Sequence, residues 1–356
     1  MKIIHCADLH LASALETSLS AEKARERRTE LMIQFSQMIR YAKQEGVRAI
    51  LIAGDLFDSA AVPTRVAKRV FDMMTAAEDI LFFYLRGNHD CVGIVPEGEN
   101  ILVVPQDGTW VYYDMDQVTV ALCDVAEGME NTAENLVLSP ERVNIAVLHG
   151  DARPSGKSVG TDFAMSDFAG KNINYLALGH YHSYRVGTLD DRGVYCYSGC
   201  LEGRGFDECG QKGFVMLDVE GNSLTHTFIP FSKRTLHSVE ADVTGCTNMQ
   251  QLEQVLLSAL SEISEEDMVR VTLIGSLPAD MDRDMDYLAS LLQGKFYAAR
   301  LHDRTGIVID PQDYADDLSL KGLFVNQVLQ SELEEDEKQR VLSLGLHLML
   351  GGEVNV

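Results

Sequence analysis

Residues 49–58 read AILIAGDLFD. Five apolar residues end at Gly54, and a polar turn carrying Asp55 and Asp58 follows at once. A short apolar run closed by glycine is the pattern of a buried strand. Four other segments repeat the arrangement. The apolar run 3–6 leads to Asp8-Leu9-His10, 80–85 to Gly87-Asn88-His89-Asp90, 143–148 to His149-Gly150, and 175–178 to Gly179-His180-Tyr181-His182. In α/β sheets, ligand and catalytic groups gather at the carboxyl ends of strands. Five such segments therefore predict a shared polar site.

The stretches between them set the layers. Leu31, Phe35, Met38 and Ile39 follow helical spacing within 20–45, with Gly46 as the stop, and a second helix is expected over 64–78 behind Pro63. Strands are expected at 101–104, 110–113, 117–123, 143–149 and 174–179, then hairpin strands at 184–188, 194–198, 213–219 and 223–229. Alternating strands and helices followed by a run of strands predict a layered α/β sandwich over residues 1–230.

Beyond Pro230 carboxylates crowd together. Residues 231–356 hold 10 basic and 22 acidic residues, about twice the net charge density of the first 230. We expect a second, smaller α+β domain there, with strands at 235–243, 268–274, 296–301 and 306–309 and helices at 248–262 and 284–293. Two closing helices, 318–331 and 334–349, are apolar at Leu320, Leu323, Phe324, Val328 and Leu329, then at Val341, Leu342, Leu344, Leu346, Leu348, Met349 and Leu350. That stripe is broader than a surface helix needs. The helices either cap their own core or dock on a partner.

Composition narrows the function. The chain has 356 residues, 46% hydrophobic and 24% charged, with 30 basic against 54 acidic residues for a net charge of −24. These values exclude a largely disordered or collagen-like chain. They also argue against a nucleic-acid binder working through a broad basic face, though not against a nucleic-acid enzyme using metals or a basic partner. MKIIHCADLH has no apolar core of signal-peptide length, and no apolar run reaches the roughly 18 residues of a membrane span. The seven cysteines are scattered without a C-x-x-C pair, which leads us to expect reduced, buried thiols in a cytoplasmic protein; Cys6 and Cys91 lie close to the motifs.

The polar motifs make chemical sense as a metal centre. Carboxylates, imidazoles and an amide oxygen suit manganese, iron or zinc. Alternate residues of an extended segment point the same way, so Asp8 pairs with His10 and His180 with His182. Asp55, from a central strand, is placed to bridge two ions. Singly, each motif has a structural alternative: D-x-H a satisfied pair, GDLFD a turn with a helix cap at Asp58, GNHD a turn, His149 a buried hydrogen-bonded histidine. Together, in this order and each at a strand end, they point to a site. His5, His226, His237, His302 and His347 show no such grouping, and Trp110 with Tyr112 and Tyr113 is expected in a buried strand.

The set D-x-H, GD-x-x-D, GNH[DE], H and GHxH spans residues 8–182 and resembles the calcineurin-like metallophosphoesterases. The flanks IHCADLHLAS, GDLFDSAAVPT, RGNHD and ALGHYHSY, with YSGCLEGRGFDECGQKGFVMLDV (197–219), are most similar to the SbcD-type DNA repair exonucleases, nuclease subunits that work with an SbcC-type ATPase. Protein Ser/Thr phosphatases read GDxxDRG, whereas Ser59 and Ala60 follow Asp58 here. The resemblance implies an αββα nuclease domain over 1–230 and a capping, partner-binding domain over 231–356. It implies two divalent ions, manganese first and iron or zinc next. Asp8, His10, Asp55 and His182 would hold one ion, and Asp55, Asn88, His149 and His180 the other. His89 would be the catalytic group and Asp58 a partner that orients a histidine. It further implies a DNA substrate, an SbcC-like coiled-coil ATPase attached after the capping domain, and a homodimer. The alternative is a metal-dependent phosphodiesterase or phosphatase for small molecules or phosphoproteins, which the acidic charge favours and the motif flanks do not. A non-catalytic scaffold would lack ligands, and none of the seven is missing.

Overall fold

Strand Val47–Ala53 is buried on both faces, as its unbroken apolar run requires: Ile50 and Ile52 enter one core, Ala49, Leu51 and Ala53 another. The structure, a computed structural model, describes residues 1–349 apart from 16–18, 60–61, 91–95, 125–132, 154–162, 279–280, 282, 309–313 and 315–316. Ala60, Cys91, Leu350 and the His347 side chain lie outside the described residues.

In chain order the first elements are β1 (Lys2–Cys6), α1 (Ala21–Gln44), β2 (Val47–Ala53), α2 (Thr64–Thr75), β3 (Leu81–Leu85), β4 (Ile101–Val103), β5 (Val111–Met115), β6 (Val118–Leu122) and β7 (Val143–His149). Next come the short β8 (Ala152–Arg153) and β9 (Phe163–Ala164), a 3-10 turn at Met165–Phe168, β10 (Tyr175–Gly179), β11 (Arg185–Thr188), β12 (Val194–Tyr197), β13 (Gly213–Glu220) and β14 (Ser223–Pro230). Two six-stranded sheets result, ordered β14-β13-β1-β2-β3-β4 and β11-β12-β10-β7-β6-β5. One core lies between them, built from Ile3, Leu51, Phe83, Val120, Val147 and Val215 among others. A second covers the outer face of the first sheet with α1 and α2. The outer face of the second sheet is covered, among the described residues, by the 3-10 turn and the segment around Leu136 and Leu138.

Local chemistry sets the helix ends. Ser20 accepts from the Lys23 amide to cap α1. Helix α2 stops at Thr75, short of the expected 78, because the Asn100 side-chain amide takes the carbonyls of Met74, Ala77 and Ile80 at 3.0, 3.1 and 3.1 Å. β5 is a sheet edge that alternates half-buried and exposed residues, so Tyr112 is exposed rather than part of a buried strand; Trp110 precedes it and packs on the outer core. The strand pair β8–β9 was not foreseen. Among the described cysteines, Cys6, Cys123, Cys196, Cys200 and Cys246 are buried free thiols, and Cys209 is a free thiol at intermediate exposure.

A charged cluster ties α1 to the end of this unit. Glu30 accepts from Arg27 at 2.6 Å, from Lys233 at 2.6 Å and from Arg234 at 2.8 Å, while Glu202 takes Arg27 at 2.8 Å and Gln34 at 3.2 Å. Burial alone would raise the Glu30 pKa, but the bonds from Arg234, Lys233 and Arg27 hold it at about 2. Its stabilisation is therefore full above the unfolded carboxyl value of roughly 4.3 and disappears as pH falls toward 2. Glu30→Gln should cost about 3–5 kcal/mol, because the guanidiniums it serves stay buried. The variant's melting temperature should also depend less on pH than the parent's below pH 4.3 or so. A shift under 2 °C, when such a loss predicts on the order of 10 °C for a unit of this size, would show that the cluster contributes little.

The chain divides at Leu236/His237. The second unit contains β15 (Leu236–Asp242), α3 (Met249–Ala259), β16 (Met268–Ile274), β17 (Ser276–Pro278), α4 (Met285–Lys295), β18 (Ala298–Asp303), β19 (Gly306–Val308), α5 (Leu320–Leu329) and α6 (Glu335–Met349). Sheet β15-β16-β18 receives Leu252 and Leu256 of α3 and Leu288 and Leu292 of α4. Helices α5 and α6 form a separate small core, burying Val325, Val328, Leu342 and Leu346 with Ile307 and Tyr314. Leu320, Leu323, Leu344 and Leu348 stay exposed. The broad apolar stripe thus splits between an internal core and an open face.

Candidate metal centre

β1, β2 and β3 run parallel in one sheet, and β7 and β10 parallel in the other. The polar motifs therefore leave the same edge of both sheets. Backbone bonds stitch them together. The Asp8 carboxylate accepts from the His180 amide at 2.9 and 3.1 Å, and the Asp8 amide donates to Gly54 O at 3.1 Å. His149 Nδ1 donates to Ala53 O at 2.9 Å. Asp8, His10, Asp55 and His180 all have positive φ, at 52°, 43°, 51° and 105°, a conformation that costs an L residue about 1–2 kcal/mol. Ala12, Leu15, Asp116 and Asn172 share it elsewhere, but at these four the strain falls on the polar residues of the centre. Glycine is needed where the strands crowd: a Cβ at Gly54, itself at φ +92°, would overlap the His149 ring, and one at Gly179 would overlap the Ala53 carbonyl.

Two overlapping sets of ligand atoms converge: Asp8, His10 and His182 in one, Asp8, Asp55 and His149 in the other, each within 4.8 Å. His10 Nε2 faces His182 Nε2 at 3.1 Å. Asp55 Oδ2 lies 3.8 Å from His10 Nε2 and 3.5 Å from His149 Nε2. Asn88 Oδ1 joins at 3.1 Å from His149 Nε2. His180 belongs to neither set; its ring meets His149 edge-on, with centroids 5.5 Å apart. His89 is exposed, its ring 5.2 Å from that of His10. Its amide donates to Asp55 Oδ1 at 2.9 Å and its Nδ1 to the Asp58 carbonyl at 3.1 Å, which turns Nε2 outward.

Burial and mutual charge shift the titrating groups of the centre far from their ordinary values. Burial lifts Asp8 to about 6 and, helped by Arg204, lowers His10 to about 3, so His10 is a neutral imidazole with a lone pair to give. Burial opposes charge on Asp55 and His149 as well, yet each sustains the other: Asp55 is held at about 2 and His149 at about 9. Buried His10 Nδ1 has no hydrogen-bond partner among the described residues, although Asp58 Oδ1 is 3.3 Å away. Its neutral nitrogens, facing carboxylates and a second imidazole, fit a divalent ion of mixed oxygen and nitrogen preference.

Behind the histidines stands a layer that motif reading missed. Glu208 accepts from His182 Nδ1 at 2.6 Å and from Arg204 Nη2 at 2.8 Å, and Arg204 Nη1 donates to Asp58 at 2.6 Å. One guanidinium thus joins the carboxylate beside His10 to the one beside His182. Asp90 joins neither ligand set: it accepts from the amides of Gly87 and Phe57 at 2.9 and 2.8 Å and pins the two loops together. A carboxylate behind a ligating imidazole fixes its tautomer and raises its basicity. Glu208→Gln should therefore weaken divalent-metal affinity by about 10–100-fold with no change in secondary structure. Calorimetric metal titration reads this directly, and an unchanged affinity would deny Glu208 that role.

A sequence profile of calcineurin-like phosphoesterases matches residues 1–184, more than half of the chain and every motif of the centre. The chain belongs to the calcineurin-like phosphoesterases. It is therefore a metal-dependent phosphoesterase, of a family that uses divalent ions. Relatives of this phosphoesterase include the uncharacterized metallophosphoesterase YhaO of Bacillus subtilis, 27% identical over 304 residues, 78% of this chain and 72% of that protein. The DNA double-strand break repair protein Mre11 of Sulfolobus acidocaldarius is 24% identical over 322 residues, 82% of this chain and 79% of its own. Among solved structures, a dimetal phosphatase from Danio rerio aligns with a TM-score of 0.40 and 10% identity over 64% of this chain and 95% of that one. No helix among the described residues is long and apolar enough to cross a membrane.

Proposed function

We propose that this phosphoesterase is a DNA nuclease of the SbcD type, acting in DNA repair on DNA phosphodiesters with two divalent ions. The observation that carries the reading is the extent of similarity to the Mre11 repair protein. It covers 82% of the chain, more than the first 236 residues can supply, and so reaches into the second unit. Asp8, His10, Asp55 and His182 would hold one ion and Asp55, Asn88, His149 and His180 the other. The position of Asp55 Oδ2 between His10 and His149 supports its role as the bridge. Bound there, a pair of divalent ions supplies Lewis acidity and an activated nucleophile at neutral pH. His89, as an imidazolium tethered through Nδ1–H to the Asp58 carbonyl, would present Nε2–H to the phosphate and give that proton to the leaving alkoxide. Asp58 and Glu208 orient His10 and His182.

The histidine-rich shell favours manganese, with iron or zinc next, over magnesium, which prefers oxygen and retained water. Residues 231–356 form the capping and partner-binding domain. The exposed Leu320, Leu323, Leu344 and Leu348 support docking of an SbcC-like coiled-coil ATPase there, which would add the basic DNA surface that a chain of charge −24 lacks. The free thiols support a cytoplasmic setting, and the same resemblance supports a homodimer. The net charge also favours a second reading, a phosphodiesterase or phosphatase for small molecules or phosphoproteins.

The deciding experiment compares linear duplex DNA with an aryl phosphodiester after metal stripping. Chelation should abolish both activities, manganese should restore them better than magnesium, and DNA should be cleaved in preference. Intact DNA beside rapid turnover of the aryl ester would establish the second reading. Equal rescue by low magnesium would overturn the manganese assignment.

A further inference from the structure

Helices α1 and α2 lie side by side and leave a groove of about 500 Å³. Arg25, Arg28 and Arg40 of α1 and Arg65 and Arg69 of α2 line it, and among the described lining residues there is no carboxylate. The chain as a whole holds 54 acidic and 30 basic residues, so the groove is opposite in sign to the molecule around it. Arg25, Arg40, Arg65 and Arg69 are exposed; Arg28 is half-buried and donates to the Ala14 carbonyl.

Between the arginines the groove carries an aliphatic strip beside the polar Thr29, Ser36 and Gln37. Met32, Ile33, Val66 and Met73 line it, and Met32, Val66 and Met73 rest on the core beneath. Ile33 is 46% exposed, so its side chain is open to a partner. The spacing is regular. Arg25, Arg28, Met32, Ser36 and Arg40 follow each other at steps of three or four along α1, with Thr29, Ile33 and Gln37 in the adjacent row, and Arg65, Arg69 and Met73 do so along α2, so each helix turns one face to the groove. From Arg25 to Arg40 the stripe runs on the order of 22 Å, at 1.5 Å per residue.

We propose that this groove docks an acidic amphipathic helix of a partner protein. Such a helix lays an apolar i, i+3/i+4, i+7 face on the aliphatic strip and carries Asp and Glu on both flanks to meet the two arginine rows. The apolar strip favours a helix over a nucleic-acid backbone, which would pair with the guanidiniums and leave the methionines and Ile33 unmatched. A second copy of this chain, docked face to face through the same groove, would set arginine against arginine. Arginine suits the task, since its fork holds carboxylates bidentately and it is weakly hydrated.

The test uses the full-length protein and a fluorescent synthetic peptide of about 18 residues, built from Leu, Glu and Ala with leucine confined to one helical face. Its controls are a composition-matched scramble and a labelled duplex DNA, all read by anisotropy at physiological salt. The amphipathic peptide should bind saturably and the scramble at least tenfold more weakly, because only the first presents a continuous apolar face. Arg65→Ser with Arg69→Ser should lower peptide affinity about tenfold, each exposed ion pair contributing a few-fold. Ile33→Ser should lower it as well. Hydrolysis of the aryl phosphodiester by these variants should be unchanged, which confirms that they fold. Equal binding of the scramble, or absence of saturable peptide binding, would overturn the proposal. So would duplex DNA that binds and weakens with the arginine substitutions while the peptide does not, an outcome that would make the groove a nucleic-acid surface.

Discussion

Asp55→Ala is expected to remove both ions and essentially all hydrolysis. Asp55 Oδ2 stands 3.8 Å from His10 Nε2 and 3.5 Å from His149 Nε2, within reach of both halves of the centre, which is the basis of its proposed bridging role. Its other oxygen takes the His89 amide at 2.9 Å, so the same change also frees the loop that carries the proposed acid. The loss in turnover should reach about 10³-fold or more, beyond what removing a single electrostatic group costs. Metal analysis should find neither ion at concentrations that saturate the parent. Asp55→Asn separates the two effects: it keeps an oxygen for the His89 amide and loses the charge, so the loop should hold while the ions are still lost. A variant that retained one ion at full occupancy would show that Asp55 serves a single site.

His89→Ala should behave in the opposite way, keeping both ions and losing chemistry. The His89 ring belongs to neither ligand set, and what anchors it is the Asp58 carbonyl rather than another ligand. Loss of a general acid should lower turnover about 10²–10⁴-fold while metal stoichiometry stays at the parent value. The effect should shrink for an aryl phosphodiester, whose leaving group needs little help from a proton. Near-parental turnover on DNA would remove His89 from the mechanism.

Several features of the centre were legible because they are local. Each polar motif follows an apolar strand within a few residues, so Asp8, His10, Asp55, His149 and His182, whose ligand atoms converge in the fold, stand out in the sequence without knowing where the strands lie. The αβ layering was readable for the same reason: the unbroken apolar run of β2 and the α1 stripe of Leu31, Phe35, Met38 and Ile39 are written in neighbouring residues. The glycines needed the structure for their reasons, since Gly54 faces His149 and Gly179 faces Ala53 from distant parts of the chain.

Other features depend on contacts that no window of sequence contains. Asp8 meets the His180 amide 172 residues away, and Glu30 meets Arg234 across 204. Glu208 and Arg204 sit in a loop without periodicity, where an acidic and a basic residue four apart look like any solvated pair; only their packing against His182 and Asp58 gives them a task. The edge position of β5 follows from sheet order, which the alternation of its residues does not encode. The arginines of α1 and α2 are ordinary surface residues until the two helices are laid together and their stripes face one groove. Residue types and local spacing therefore settled which chemistry the chain carries, because metal ligands and amphipathic periods are short-range patterns. Which oxygen stands between which nitrogens, what holds each imidazole in place, and where charge collects on the surface came from tertiary packing, because those depend on distances between segments far apart in the chain.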